Sequence, residues 1–137
     1  MDQRAVPNPL RIAVAERNVR MRRALRALLE AEGGFELEGQ AHDLAGVRRV
    51  LRLQQPNVML LDLALLAPHG LLLLPQLARE RPQTAIVATG LSQWAGQEEV
   101  LLRLGAKGFI AKTAPPESWL VAIRESARQA PRLDNGH

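Results

Sequence analysis

Five short apolar runs alternate with longer stretches of helical periodicity along this chain, and that alternation limits the possible folds more than any other feature. Strands separated by helical patterns point to βαβ units, in which crossover helices cover a parallel sheet. The first run is Leu10-Arg11-Ile12-Ala13-Val14. Behind it, Met21, Leu25, Leu28 and Leu29 fall on one helical stripe, Arg20, Arg22, Arg23 and Arg26 fall mostly off it, and Gly33-Gly34 ends the pattern. Phe35 to Gly39 reads as a short second strand. Asp43 suits the N-cap of a helix that carries Leu44, Val47, Val50 and Leu51 and stops before Pro56. Val58-Met59-Leu60-Leu61 forms the third strand and delivers Asp62 at its end. A third helix lies between Gly70 and Arg81, and Pro75 predicts that it starts late or bends. Ala85-Ile86-Val87-Ala88-Thr89 is the fourth strand, Gln97 to Leu104 the fourth helix, and Gly108-Phe109-Ile110 the fifth strand. A last helix starts near Pro116 and runs to Arg128, and the tail from Pro131 to His137 carries no packing pattern.

With 137 residues, 47% of them hydrophobic, the chain has material for one core and not two. The expected division is an N-terminal extension over 1–9, one domain over 10–128 and a tail or linker over 129–137. No apolar run approaches the roughly 20 residues of a membrane span, and the first residues lack the apolar stretch of a signal peptide, so a cytoplasmic protein is expected. The absence of cysteine excludes a disulfide framework, a thiolate nucleophile and a Cys-ligated zinc. His42, His69 and His137 show no metal-ligand spacing. A net charge of +4 invites a nucleic-acid reading, but the arginines are spread over helical patterns and aromatic residues make up only 3%. No direct nucleic-acid binding is expected of this domain.

Five β/α units in this length fit a flavodoxin-like (βα)5 α/β fold, a doubly wound five-stranded parallel sheet of order 2-1-3-4-5. Its switch point lies between the first and third strands. Asp62 then matters most, because a carboxylate ending an apolar strand is costly to bury unless chemistry uses it. Glu16 follows the first strand and should meet Asp62 at the switch point, while Thr89 ends the fourth strand and Lys112 follows the fifth. A carboxylate pair is a hard-oxygen site suited to Mg²⁺, and an aspartate beside Mg²⁺ and a lysine can attack a phosphoryl donor. Taken singly, each residue has a plainer reading. Asp62 is also a turn-capping aspartate, Glu16 an acid near a helix N-terminus, Thr89 a β-branched strand residue and Lys112 a surface lysine.

From Leu10 to Arg128 the chain resembles the receiver domain of bacterial two-component response regulators. The resemblance is carried by Leu60-Leu61-Asp62-Leu63 with Gly70 behind it, by Ala88-Thr89-Gly90, and by Gly105-Ala106-Lys107-Gly108-Phe109-Ile110-Ala111-Lys112. The helix wording, as in Leu25-Arg26-Ala27-Leu28-Leu29-Glu30, is most similar to the subgroup usually joined to a LuxR-type helix-turn-helix. The resemblance implies that Asp62 accepts a phosphoryl group from a histidine kinase and that Glu16 and Asp62 hold Mg²⁺. Lys112 would pair with the phosphoryl oxygens, and Thr89 and Phe109 would be the switch residues. It further implies a homodimer, a DNA-binding effector outside this chain and no enzyme activity. The expected docking surface is the helix-four, strand-five, helix-five face with Glu98, Arg103 and Lys107 exposed.

Several positions depart from the family pattern. Ala15 stands where the first of two adjacent acids is usual, which predicts weak Mg²⁺ binding. Leu66 replaces the usual proline, with Pro68 displaced along the loop, and the Thr89 to Gly105 segment is one residue longer than usual and contains Trp94. Ala64 and Leu91 offer no polar group where the family often orients the hydrolytic water. These departures define the alternative, a pseudo-receiver acting as a phosphorylation-independent dimerisation or docking module. A flavin or nucleotide enzyme of this fold would need a Gly/Ser/Thr-rich loop where Ala15-Glu16-Arg17-Asn18 stands, and a haloacid-dehalogenase-type phosphatase a second aspartate where Ala64 stands. Trp119 reads as core, Trp94 as an exposed contact or a lid, and Leu65, Leu66 and Leu71 to Leu74 as partly core, with some of the excess leucine marking a partner surface.

Overall fold

The computed structural model describes residues 8–67, 69–91 and 96–129. Pro68, Trp94 and the tail from Pro131 lie outside them, as does most of the N-terminal extension. The elements alternate as expected: β1 (Leu10–Ala15), α1 (Val19–Glu32), β2 (Phe35–Ala41), α2 (Leu44–Leu53), β3 (Val58–Asp62), a 3₁₀ turn (Leu63–Leu66), α3 (Leu73–Glu80), β4 (Ala85–Gly90), α4 (Glu98–Arg103), β5 (Gly108–Ala111) and α5 (Pro116–Gln129). The strands form one five-stranded sheet in the order β2-β1-β3-β4-β5, and every pairing is parallel. This is the flavodoxin-like topology.

Strand alternation sorts the core into two layers. Ile12, Val14, Val58, Leu60, Ala85, Val87 and Ile110 pack with Leu25 and Leu29 of α1 and with Trp119 and Ile123 of α5. Ala13, Ala15, Met59, Leu61, Ile86 and Ala88 face the other way, against Val47 and Leu51 of α2, Leu74 and Leu77 of α3 and Leu101 of α4. β1, β3 and β4 are therefore apolar on both faces. At the edge, β2 skips one residue opposite Ile12 and Ala13, and Gly39 lies so close to Val50 that an added Cβ would sit 3.0 Å from its Cγ1.

Helix boundaries follow local chemistry. Asn18 Oδ1 accepts from Met21 N–H at the start of α1, and Asp43 Oδ1 accepts from Gly46 N–H at the start of α2. Pro75 is accommodated because α3 starts late, at Leu73, so the proline falls in the first turn where its missing N–H costs no helical bond. Trp119 is core, with its indole N–H donating to Ala114 O at 3.2 Å. The leucine cluster is mostly absorbed by packing: Leu65, Leu66, Leu73 and Leu74 are buried and Leu71 is half-buried. Leu72 alone of that cluster is widely exposed, which leaves one leucine rather than several for a partner surface.

Candidate functional site

The parallel register carries four of the expected site residues to one edge. Asp62 pairs with Thr89 across β3 and β4, Gly90 pairs with Ala111, and Lys112 follows directly with its N–H donating to Gly90 O at 2.8 Å. Glu16 leaves β1 with its N–H donating to Ala41 O at 2.9 Å. Its side chain then turns to the switch point between β1 and β3, where the carboxyl ends of the strands leave an open crevice.

There Lys112 Nζ lies 2.8 Å from Glu16 Oε1 and 3.0 Å from Asp62 Oδ2. The other two carboxylate oxygens are also engaged. Glu16 Oε2 accepts from Asn18 N–H at 3.0 Å, and Asp62 Oδ1 accepts from Ala64 N–H at 3.0 Å. Asp62 thus carries out the plain turn-capping role with one oxygen and meets the ammonium with the other. Both acids are nearly buried, with side chains 4% and 6% exposed, whereas Lys112 keeps 21%. Burial alone would lower the Lys112 pKa, but hydrogen bonds to Glu16 and Asp62 and their negative charges outweigh it and hold the pKa above its ordinary 10.5. The ammonium therefore stays charged throughout the neutral range.

Around this triad opens a cavity of about 660 Å³, floored by Glu16, Asp62 and Lys112 and walled in part by Leu63, Ala64, Leu66, Leu71 and Leu91. Its walls are more apolar than its floor. Thr89 is buried beside Asp62 and does not line the cavity itself. Ala15 is buried in the α2-side core with Ala13, Ala41 and Leu61, so no third carboxylate joins Glu16 and Asp62. Among the described residues no cluster of three or more His, Cys, Asp or Glu side chains is arranged to hold a metal. The two carboxylates remain a hard-oxygen pair with lone pairs to spare, which fits Mg²⁺ held by few protein ligands and several waters.

Phe109 is half-buried on β5, in register with Ala88. It lines a groove with Leu102, Lys107, Val121 and Glu125 on the α4–β5–α5 face. Glu98 and Arg103 are exposed as expected, but Lys107 is half-buried in that groove, because the loop preceding β5 ties its N–H to Ile86 O at 2.7 Å. The Arg22 guanidinium donates to the carbonyls of Glu16 and Arg17, clamping the loop that aims Glu16. Sequence reasoning missed this clamp and the two backbone N–H groups. Asn18, a capping residue just before the α1 periodicity, was the one available signal.

Residues 12–124 match the family model described as the response regulator receiver domain. The chain is 31% identical over 120 residues to the nitrate/nitrite response regulator protein NarP of Escherichia coli, covering 88% of this chain and 56% of NarP. In structure it is similar to the receiver domain of the putative response regulator NarL from Mycobacterium tuberculosis, with a TM-score of 0.80 at 20% identity, covering 90% of this chain and 99% of that one. It is likewise similar to a LuxR-family two-component response regulator from Aurantimonas sp. SI85-9A1, with a TM-score of 0.78 at 21% identity over 88% of this chain and 86% of that one.

The fold and the polar edge of the sheet define a doubly wound signalling module of the two-component type. The chain belongs to the response regulator receiver domain family. It spans little more than half the length of NarP. No helix among the described residues is long and apolar enough to cross a membrane.

Proposed function

We propose that this domain is a phosphoacceptor receiver in which Asp62 takes a phosphoryl group from a histidine kinase. The observation that supports the reading is the ammonium of Lys112 between Asp62 and Glu16, at 3.0 and 2.8 Å. In the transfer, a carboxylate oxygen of Asp62 attacks the phosphorus of a phosphohistidine, a P–O bond forms, and the P–N bond breaks with its electron pair returning to the imidazole. Lys112 then neutralises phosphoryl oxygens rather than carboxylates, which favours the product because charge-assisted bonds are gained where charge is added. Thr89, paired in register with Asp62, is positioned to turn its hydroxyl toward the new oxygens. Phe109 relays the change to the α4–β5–α5 groove it lines. Mg²⁺, when bound, would be held by Glu16 and Asp62 and would supply further neutralisation of the transferring phosphoryl charge. Its affinity is weak because Ala15 contributes no carboxylate and Lys112 already offsets one of the two negative charges.

By likeness to the transcriptional regulatory protein LiaR of Bacillus subtilis and to a DNA-binding response regulator of the LuxR family from Staphylococcus aureus, the output is control of transcription through a DNA-binding effector outside this chain, with homodimerisation as the intermediate step in a cytoplasmic protein. The docking-only alternative is not favoured, since a module without phosphoryl chemistry has no use for a buried acid pair held by a lysine. Intact-mass analysis after incubation with acetyl phosphate over a Mg²⁺ series decides between them. The expected result is a slow single phosphoryl adduct that needs high Mg²⁺ and is lost in Asp62→Asn. No adduct at any Mg²⁺ concentration refutes the phosphoacceptor reading.

A further inference from the structure

A second polar cavity, of about 280 Å³, is lined by Arg48 and Arg52 of α2 and by Glu80 and Arg81 at the end of α3. α2 ends at Leu53 before β3 and α3 ends at Glu80 before β4. Both C-terminal ends therefore lie by the strand starts, at the edge of the sheet opposite Asp62. Arg48 and Arg52 are one helical turn apart and share a face. Arg48 pairs with Glu80 across the two helices. Arg81 Nε is buried and has no hydrogen-bond acceptor among the described residues, a costly state for a charged donor.

We propose that this cavity binds a small phosphate-bearing anion, at a site separate from the acid pocket. Charge selects the ligand class. Three arginines against one glutamate leave an excess of two positive charges, which a phosphate monoester of roughly −1.5 to −2 charge neutralises and a monocarboxylate only halves. Guanidinium forks also match phosphate oxygens two at a time. The cavity has room for a phosphate group with a small substituent. The helix C-termini present their negative dipole ends here, so the backbone opposes an anion and the side chains alone supply the affinity. The guanidinium that donates to the Gln54 carbonyl at the end of α2, at 3.1 Å, is that of Arg11, which does not line the cavity.

The test is ¹⁵N-edited NMR of the arginine Nε–H groups in the whole chain, titrated at constant ionic strength with inorganic phosphate, glycerol 3-phosphate and chloride. The Arg81 Nε–H resonance should move saturably with the two phosphates and not with chloride. Arg81→Lys, which keeps the charge and loses the fork, should weaken binding by about tenfold or more. Glu80→Gln, which frees Arg48, should tighten it, and Asp62→Asn should leave it unchanged. Tighter binding of glycerol 3-phosphate than of phosphate assigns the site to esters, and the reverse to the free ion. A non-saturating response, an equal response to chloride, loss of binding in Asp62→Asn, or weaker binding in Glu80→Gln overturns the proposal. The Glu80 variant retains this power even where Arg81→Lys fails to fold.

Discussion

Replacing Lys112 by methionine removes the one cation that, among the described residues, contacts both buried acids, while preserving most of the side-chain volume. Opposite charges about 3 Å apart attract by about 5 kcal/mol each at an effective dielectric constant of 20, before desolvation is subtracted. Removing one partner of a buried pair typically costs about 3–5 kcal/mol, and the 21% exposure of Lys112 places the expected loss toward or below the lower end. A loss of about 2–3 kcal/mol at pH 7 is therefore expected, read by urea unfolding in EDTA as a fall in midpoint of about 1–2 M with unchanged slope. The pH dependence carries the diagnosis. Because the folded-state pKa of Lys112 is raised above its ordinary 10.5, its contribution is fully present below that value and is lost as the pH rises through the higher folded value. The variant lacks that alkaline loss. Millimolar Mg²⁺ should stabilise the variant more than the parent, since the metal no longer competes with an ammonium. A loss below about 0.5 kcal/mol, the worth of an exposed pair, would refute the reasoning and show that the acids are solvated in the folded protein.

The acid pocket and its supports yield further tests. Ala15→Asp should tighten Mg²⁺ binding by about tenfold, measured by isothermal titration, while lowering the metal-free melting temperature, because residue 15 is 1% exposed in an apolar layer beside two acids. An unchanged affinity would mean that position 15 does not reach the metal. Asp62→Asn should abolish the acetyl phosphate adduct without loss of fold, checked by mass and circular dichroism. Gly105→Ala should cost about 2 kcal/mol or more in urea unfolding, since φ is +119° and the new Cβ would sit 2.9 Å from Ala78 Cβ. Reversing the charges of Arg103 and Lys107 should weaken self-association in sedimentation equilibrium, whereas reversing Arg23 and Arg26 on α1 should not; the opposite outcome moves the dimer to the α1 side. Arg22 is unsuited to that comparison because it clamps the Glu16 carbonyl.

The strands were legible because each is a short apolar run, and the sheet order followed from their alternation with helices. Their ends were less so. β2 continues past Gly39 to Ala41 and β1 includes Ala15, extensions set by pairing between strands rather than by any local pattern. The convergence of Glu16, Asp62 and Lys112 was also legible, since each follows or ends a strand whose place in the sheet could be inferred. What the sequence could not display is how the pocket is satisfied internally. The N–H groups of Asn18 and Ala64 have no side-chain signature, and the reach of Arg22 to two carbonyls depends on how the loop folds back over α1. Arg81 shows the same limit, since its place in the cavity between α2 and α3 depends on tertiary packing and its number in the chain says nothing of it.

Together these contacts show why Ala15 and Lys112 belong to one account of the pocket. Two acids and one ammonium carry a residual single negative charge, and each carboxylate oxygen already accepts a hydrogen bond. A pocket so satisfied is stable without a metal, whereas a third carboxylate at position 15 would make the metal-free state repulsive. Under the proposed function, alanine at position 15 would shift the balance from a site that needs Mg²⁺ to relieve repulsion toward one that needs it only for transfer. The apolar walls act in the same direction, because Leu63, Leu66, Leu71 and Leu91 present no groups to hold or activate water near Asp62. In the proposed phosphoacceptor reading, slow entry of a phosphoryl group and slow hydrolysis of the product would share a physical origin, and such a domain would integrate its signal over longer times than one with a full acid cluster and a hydrated rim.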